Sequence, residues 1–158
     1  MEQHDTRAAK QDQGGVEEVN WYTIGIDPGK NTGIAVYDRE EKRISILKTT
    51  DFWGVINLIN SNFPPRAVNI LFIELPETKH VWHKGASSRA AIERTGVNIG
   101  SCIREAELLT KWAIGNGYRV LNCKPRGKVD SKRFNKLTGW TGRTNQHERD
   151  AGMMAFGV

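Results

Sequence analysis

The hydrophobic positions of this chain fall into short runs that are separated by turn-forming residues and charged segments. Runs rich in β-branched and aromatic side chains, which are typical of strands, cover residues 21–27, 32–38, 43–49, 68–74 and 118–123. The Pro28-Gly29-Lys30-Asn31 turn predicts that the first two strands form a hairpin. The fourth run is apolar apart from Asn69, as expected of a central strand that is covered on both faces.

Other segments carry helical signals. Helices are predicted over residues 52–61, 88–114, 130–137 and from 145 onward. Asp51 is placed to cap the first helix, and Asn145 and Glu148 have the spacing of a capping box on the last. Gly96 and Gly100 would break the longest helix or allow it to pack closely on the sheet. The inward stripe of that helix is predicted to be Ile99, Cys102, Ile103, Ala106, Leu109 and Ala113.

A chain of 158 residues is long enough for one domain with a substantial core. Residues 1–20 mix acids, Gln and Gly without an apolar stretch, so we expect a disordered leader, followed by a single α/β domain over residues 21–158. No segment is long or apolar enough to span a membrane. Cys102 and Cys123 lack metal-type spacing, and we interpret both as reduced core thiols. The aromatic residues assigned to the core are Phe52, Trp53, Phe72 and Trp112.

Charge is divided unevenly along the chain. Residues 1–79 hold 9 Lys/Arg and 12 Asp/Glu, a net charge of −3, whereas residues 80–158 hold 14 and 6, a net charge of +8. Such a basic half usually faces an anionic polymer, most often nucleic acid, although a merely solvated surface would have the same composition. The residues expected to contact phosphates are Lys84, Arg89, Arg94, Lys124, Arg126, Lys128, Lys132, Arg133, Lys136 and Arg143.

The densest part of this basic half is the stretch from Lys124 to Lys136, called the basic segment below. Contacts of this kind position DNA without reading its sequence, and their contribution falls steeply with salt. Trp82, in the loop over residues 75–88, and Trp140 are candidates for stacking on an unpaired base. Two alternatives stay open: Trp82 could pack over the sheet edge, and Trp140 could brace the last helix.

Three acidic residues stand at the ends of predicted elements. Asp27 ends the first strand, Glu74 ends the fourth, and Asp150 lies in the first part of the last helix. A carboxylate that ends a buried strand is costly to desolvate unless a cation or hydrogen bonds compensate it. If the first strand lies mid-sheet, between its hairpin partner and the fourth strand, Asp27 and Glu74 are near enough to share an ion.

The last helix adds further candidate ligands. His147 and Asp150 each lie four residues before an inward position, Ala151 or Met154, so both extend the inward stripe towards the sheet. Glu148 lies on the opposite flank, but helical geometry alone does not exclude it in favour of Asp150. Several carboxylates that hold two Mg²⁺ ions are the usual device for hydrolysing a phosphodiester. The competing interpretation makes each acid structural: a turn cap, an ion-pair partner and a solvated helix residue.

Four motifs can be compared with a known family. They are Ile24-Gly25-Ile26-Asp27-Pro28-Gly29 with Thr32-Gly33, then Phe72-Ile73-Glu74, Lys136-Leu137-Thr138-Gly139, and His147-Glu148-Arg149-Asp150-Ala151. In this order the set resembles the RuvC-type Holliday junction resolvases, over Trp21 to Val158. The resemblance implies a ribonuclease H-like fold, here a five-stranded mixed sheet flanked by helices, and a homodimer that makes symmetric paired nicks in four-way DNA junctions. It also implies a cytoplasmic protein that acts on nucleoid DNA, encoded by a cell or by a phage or virus.

The same resemblance assigns metal binding and catalysis to Asp27, Glu74, His147 and Asp150, with two Mg²⁺ ions per site and Mn²⁺ able to substitute. His147 stands where many members of the family carry an acid. A neutral imidazole suits Mn²⁺ better than Mg²⁺ and lowers the negative charge of the site by one. It could alternatively orient the attacking water or accept a proton.

Other functions share parts of this pattern. A non-cutting protein of the same fold could bind branched DNA, although it would have no need to keep the three acids. A nuclease for other branched DNA or for RNA–DNA hybrids would use the same carboxylates. An actin-like ATPase or sugar kinase also has a Gly-x-Asp loop followed by Gly and Thr, but that fold needs two such domains, and this chain is too short.

Overall fold

The computed structural model describes residues 20–76 and 88–157. The predicted leader, apart from Asn20, and the loop residues Trp82 and Lys84 lie outside the described residues. The strands are β1 (Tyr22–Asp27), β2 (Thr32–Asp38), β3 (Arg43–Thr50), β4 (Val68–Glu74) and β5 (Val120–Cys123). The α-helices are α1 (Phe52–Asn62), α2 (Arg89–Gly115), α3 (Ser131–Thr138) and α4 (Gln146–Phe156). This order and these bounds confirm the predicted elements to within two residues.

The five strands form one mixed sheet in the order β3-β2-β1-β4-β5. β1 and β2 form the predicted antiparallel hairpin, and β1 pairs in parallel with β4, which pairs in parallel with β5. The predicted central position of β1 is therefore confirmed. Ile26 of β1 is paired with Ile73 of β4. Asp27 and Glu74, the last residues of these two strands, therefore lie at the same edge of the sheet.

Side chains alternate between two layers of helices, as the period of a strand requires. Ile24 and Ile26 belong to the main core, which they form with residues of α1, α2 and β4 such as Ile59, Leu109 and Leu71. The opposite face of β1 and β2 is covered by α4, where Ala35, Ala151 and Ala155 form a smaller core. The α/β architecture with a mixed sheet flanked by helices is thus present.

Two glycines allow α4 to lie directly on the strands. A Cβ on Gly25 would come within 2.1 Å of the Ala151 carbonyl oxygen, and one on Gly33 within 2.1 Å of the His147 carbonyl oxygen. Because the atoms that would clash belong to the helix backbone, any side chain here would push α4 off the sheet. This close approach brings the first turn of α4 to the end of β1.

Three predictions about side chains need correction. Trp53 is 67% exposed, because the buried face of α1 is formed by Val55, Ile56 and Ile59, and Trp53 lies beside that face. Cys102 and Cys123 are free thiols, but they are half-buried and lie outside the core. β4 is fully covered on one face only. Its other face is partly open, and it carries half-buried Phe72. Phe52 and Trp112 are half-buried against the core.

α2 is longer than the sheet on which it packs. Its 27 residues span about 40 Å, whereas the 7 residues of β4 span about 23 Å. Of the predicted stripe, only Ala106, Leu109 and Ala113 are fully buried. Gly96 and Gly100 neither break the helix nor lie on the sheet, since a Cβ on either would meet nothing within 4 Å. No helix in the described ranges is both long enough and apolar enough to cross a membrane.

Candidate active site

The edge of the sheet where β1 and β4 end is also where α4 begins. Asp27 is buried there, with 6% of its surface exposed. The turn that follows is held by the hydroxyl of Thr32, which is itself fully buried and donates to the Gly29 carbonyl oxygen at 2.7 Å. The Asp27 carboxylate therefore lies next to a hydrogen-bonded turn that joins β1 and β2.

His147 reaches Asp27 from the first turn of α4. Its Nδ1 lies 2.7 Å from Asp27 Oδ2, whereas 47% of the imidazole side chain is exposed. When Asp27 is ionised, Nδ1 must carry the hydrogen that is shared in this bond, and Nε2 is then the nitrogen with a lone pair. The pair thus orients an exposed imidazole nitrogen that can accept a proton or bind a cation.

Burial raises the pKa of the two acids that end β1 and β4. Desolvation, with added repulsion from Asp27 and Asp150, raises the pKa of Glu74 to about 7. Desolvation also raises the pKa of Asp27, although the hydrogen bond from His147 opposes this rise. Asp150 is therefore close enough to both strand-end carboxyls to raise the pKa of each, and Asp27 acts on Glu74 in the same direction.

Asp150 and Glu148, between which helical geometry alone left the choice open, have different partners. Glu148 accepts from the backbone N–H of Asn145, whose side chain accepts from the Glu148 N–H, so the predicted capping box is present. Glu148 also accepts from the hydroxyl of Thr49 on β3. Asp150 instead acts on the ionisation of Asp27 and Glu74, and its Oδ1 accepts from Gln146 Nε2 at 2.7 Å. Glu148 thus serves the helix cap, and Asp150 belongs to the acidic cluster.

Positive charge enters the site from the basic segment, which follows β5 at the same edge of the sheet. Lys128 lowers the pKa of both Asp27 and Glu74, against the effect of burial. Arg126 lines a small cleft together with Glu74 and Asp150, and Gly127, Met153 and Met154 complete its walls. Arg126 and Lys128 are thus predicted phosphate contacts that lie near the acids.

The other basic candidates whose side chains are described are exposed on the surface. Lys124, Lys132, Arg133, Lys136 and Arg143 are exposed on β5–α3, α3 and the α3–α4 loop, and Arg94 is exposed on α2. Arg89 lies in α2, but its side chain is outside the described part of the chain, as are Lys84 and Trp82.

Trp140 is half-buried in the loop between α3 and α4. A Cβ on Gly142 would lie 2.9 Å from its Nε1, so the indole packs against the backbone of its own loop. The Nε1 is buried and has no hydrogen-bond partner within the described ranges. The indole is thus partly used in packing its own loop.

The donor set can be compared with what a metal ion requires. Within residues 20–76 and 88–157, no group of three or more His, Cys, Asp or Glu side chains is arranged closely enough to hold an ion. The direct contacts are Asp27 with His147 and Gln146 with Asp150. The candidate ligands still have the donor chemistry that suits Mg²⁺ or Mn²⁺, namely three carboxylates (Asp27, Glu74 and Asp150) and the imidazole of His147. A divalent cation would also offset the repulsion that raises the pKa of Glu74.

Two residues with clear roles here were not singled out from the sequence. Gln146 donates to Asp150, and Arg149 donates to Gln146 Oε1 at 2.9 Å. The i,i+4 and i,i+3 spacings on α4 were the available signal, because Gln and Asp four residues apart on a helix form such pairs. The chain matches no protein-family model, and no curated protein is significantly similar to it in sequence. The geometry of the described residues is therefore the basis for assigning a function.

Proposed function

We propose that this chain is a metal-dependent nuclease of ribonuclease H-like fold that resolves four-way DNA junctions by symmetric paired nicks, as the RuvC-type resolvases do. The observation that carries the proposal is the contact of Asp27 with His147 at the end of β1, where Asp150 and Lys128 lie near enough to act on the pKa values of Asp27 and Glu74. Acids from two adjacent parallel strands and a helix, with cations at the rim, suit a polyanionic substrate.

The residues that would hold Mg²⁺ or Mn²⁺ are Asp27, Glu74 and Asp150, with His147. Ions bound to such a set lower the pKa of a water and stabilise negative charge on the attacking and leaving oxygens of the phosphodiester. The strand-end carboxyls contribute rigidity, since Asp27 and Glu74 are fixed by the sheet. Lys128 and Arg126 bring positive charge to the place where the scissile phosphate would lie.

His147 has the geometry of a proton acceptor. Its Nδ1 bond to Asp27 fixes the ring and leaves Nε2 to take a proton from a water, and the ionised Asp27 stabilises the imidazolium that results. The same Nε2 is alternatively a ligand, in which case Mn²⁺ is preferred over Mg²⁺. Either role uses the orientation that Asp27 imposes.

DNA binding is assigned to the exposed cations of the basic segment and α3. They would contact backbone phosphates, so they position a strand without reading bases. A homodimer would present two such sites to one junction, as paired symmetric nicks require.

The test offers the purified protein three labelled substrates, with Mg²⁺ or with Mn²⁺: a four-way junction, a linear duplex of the same sequence, and an RNA–DNA hybrid. We expect paired nicks in two opposed strands of the junction, which a ligase can reseal, and no cutting of the duplex. Equal cutting of the duplex contradicts junction selectivity. Preferential cutting of the hybrid supports the hybrid nuclease instead, and tight binding without cutting supports a binding protein.

A further inference from the structure

Arg149 of α4 is half-buried, and its guanidinium is directed at neighbouring parts of the chain. Its guanidinium makes four hydrogen bonds with all three of its nitrogens. Nε donates to the Val129 carbonyl oxygen at 2.8 Å, Nη1 donates to the carbonyl and hydroxyl oxygens of Thr144, and Nη2 donates to Gln146 Oε1 at 2.9 Å. Since a guanidinium has five N–H donors in a fixed plane, most of its capacity is used inside the protein.

The acceptors of Arg149 belong to separate parts of the chain. Val129 lies in the basic segment, between Lys128 and the N-cap of α3, and Thr144 lies in the loop that enters α4. Gln146 passes the connection on, because its amide oxygen accepts from Arg149 while its amide nitrogen donates to Asp150 Oδ1 at 2.7 Å. A continuous chain of hydrogen bonds therefore runs from the basic segment to the carboxylate of Asp150.

We propose that Arg149 and Gln146 are positioning residues, which hold the basic segment and the Asp150 carboxylate in one fixed relation. Arg149 is then not a phosphate contact, although it is a cation on the helix that carries His147 and Asp150. The inference rests on the proposed function, in that the basic segment and Asp150 are taken to serve one substrate. It adds the physical link by which DNA placement and the acid cluster are kept in register.

A lysine at this position would keep the charge and lose the link. One ammonium on a flexible stem cannot reach Val129, Thr144 and Gln146 at once, because its three donors diverge from a single atom. Arg149→Lys is thus the variant that separates positioning from phosphate binding. Gln146→Leu breaks the link at its other end, since it keeps the side-chain size and removes the amide that faces Asp150.

The first measurement is binding of a labelled four-way junction in EDTA over a series of salt concentrations. We expect Arg149→Lys and Arg149→Ala to weaken binding by the same factor, about tenfold, with the salt slope unchanged. Lys128→Ala should instead lower the slope by about one ion. The matched control is Arg104→Lys, an exposed Arg on α2, which should bind as wild type does. If Arg149→Lys binds as wild type while Arg149→Ala lowers the slope, Arg149 is a phosphate contact and the inference is wrong.

The second measurement is binding of Mn²⁺ alone, followed by the loss of the free-ion electron paramagnetic resonance signal. Gln146→Leu and Arg149→Lys should each weaken Mn²⁺ binding about tenfold, because the partners that orient a metal-binding carboxylate contribute 10- to 100-fold to metal affinity. Thermal melts in EDTA verify that the variants are folded. Unchanged Mn²⁺ affinity in both variants overturns the inference. A wild-type chain that binds neither Mn²⁺ nor junction overturns the proposed function, a result that is read from the wild type alone.

Discussion

Glu74 is the residue at which burial and charge conflict most strongly. Its carboxyl ends a central strand, faces two other acids, and has a pKa raised to about 7 by desolvation first and by Asp27 and Asp150 second. In the absence of a cation, Glu74 of the folded chain is therefore about half protonated near neutral pH. The unfolded chain releases that proton at the ordinary value of 4.5.

Glu74 thus predicts how stability depends on pH in EDTA. Because the folded pKa is above the unfolded one, the folded state binds the extra proton, so the contribution of Glu74 is fully favourable below pH 4.5 and is lost as pH rises through about 7. Glu74→Gln has no carboxyl to ionise at this position, so this loss of stability with rising pH should be absent. After allowance for partial solvent exposure, the variant should gain about 1 kcal/mol on wild type between about pH 5 and about pH 8.

Urea unfolding of both proteins across this pH range provides the measurement. Glu40→Gln, at an exposed position in the β2–β3 turn, is the matched control and should keep the wild-type pH profile. Parallel profiles for wild type and Glu74→Gln would show that the Glu74 carboxyl is not desolvated in the fold.

His147 makes a second prediction at the residue scale. His147→Asp would place a carboxylate where an imidazole now donates to buried Asp27, so we expect a lower melting temperature than wild type in EDTA. Saturating Mg²⁺ should raise the melting temperature of His147→Asp more than that of wild type, since a fourth carboxylate suits this hard cation. If Mg²⁺ raises the melting temperature of His147→Asp no more than that of wild type, residue 147 is not part of the ion site. Thermal melts with and without Mg²⁺ decide the point.

Among the elements, α4 is the one on which the candidate site depends. At Gly25 and Gly33 its backbone lies directly against the backbones of β1 and β2, with no side chain between them. Gly33→Ala should therefore shift α4, lengthen the contact between His147 and Asp27, and lower the free energy of unfolding by about 2–3 kcal/mol.

The control for that substitution is Gly96→Ala in α2. A Cβ there meets nothing within 4 Å, so we expect a gain of about 0.5–1 kcal/mol from the higher helix propensity of Ala. Both changes add one methyl group, and urea unfolding measures both. Equal effects of the two variants would mean that α4 does not rest on the strand backbone.

The elements themselves follow from local sequence signals. The Pro28-Gly29 turn, the cap at Asp51 and the capping box at Asn145 are short-range devices, and each is found where the spacing predicts it. The exposure of Trp53 was not predictable in this way, because it depends on which face of α1 meets the sheet. The contact role of Gly33 depends likewise on the tertiary packing of α4.

In the candidate site, too, some features follow from the sequence and others depend on tertiary packing. The position of β1 beside β4 follows from the order of elements, and with it the proximity of Asp27 and Glu74. Glu148 and Asp150 could be separated only by their partners, one of which is Thr49, far away in the sequence. The partners of Arg149 are also set by how the loops before α3 and α4 meet, and no spacing rule encodes that meeting.

At the scale of the whole molecule, charge is sorted by position on the sheet. The acids lie where the parallel strands end, and the basic segment and α3 follow in the chain from the same edge. We expect Lys132→Ala with Arg133→Ala to reduce the salt slope of junction binding by about two ions, and to raise KM without changing kcat. Arg66→Ala, at the opposite end of β4, should leave the slope unchanged. A fall in kcat with unchanged KM would show that these cations act in the chemical step.

The most direct test of the central claim is Asp27→Asn, assayed for junction cutting with Mg²⁺ or Mn²⁺ and for junction binding in EDTA. The substitution keeps the size of the side chain and removes the charge that the site is built around. We expect cutting to fall about a thousandfold or more, while binding stays within about twofold of wild type. Junction cutting by Asp27→Asn at the wild-type rate would contradict the proposed metal site.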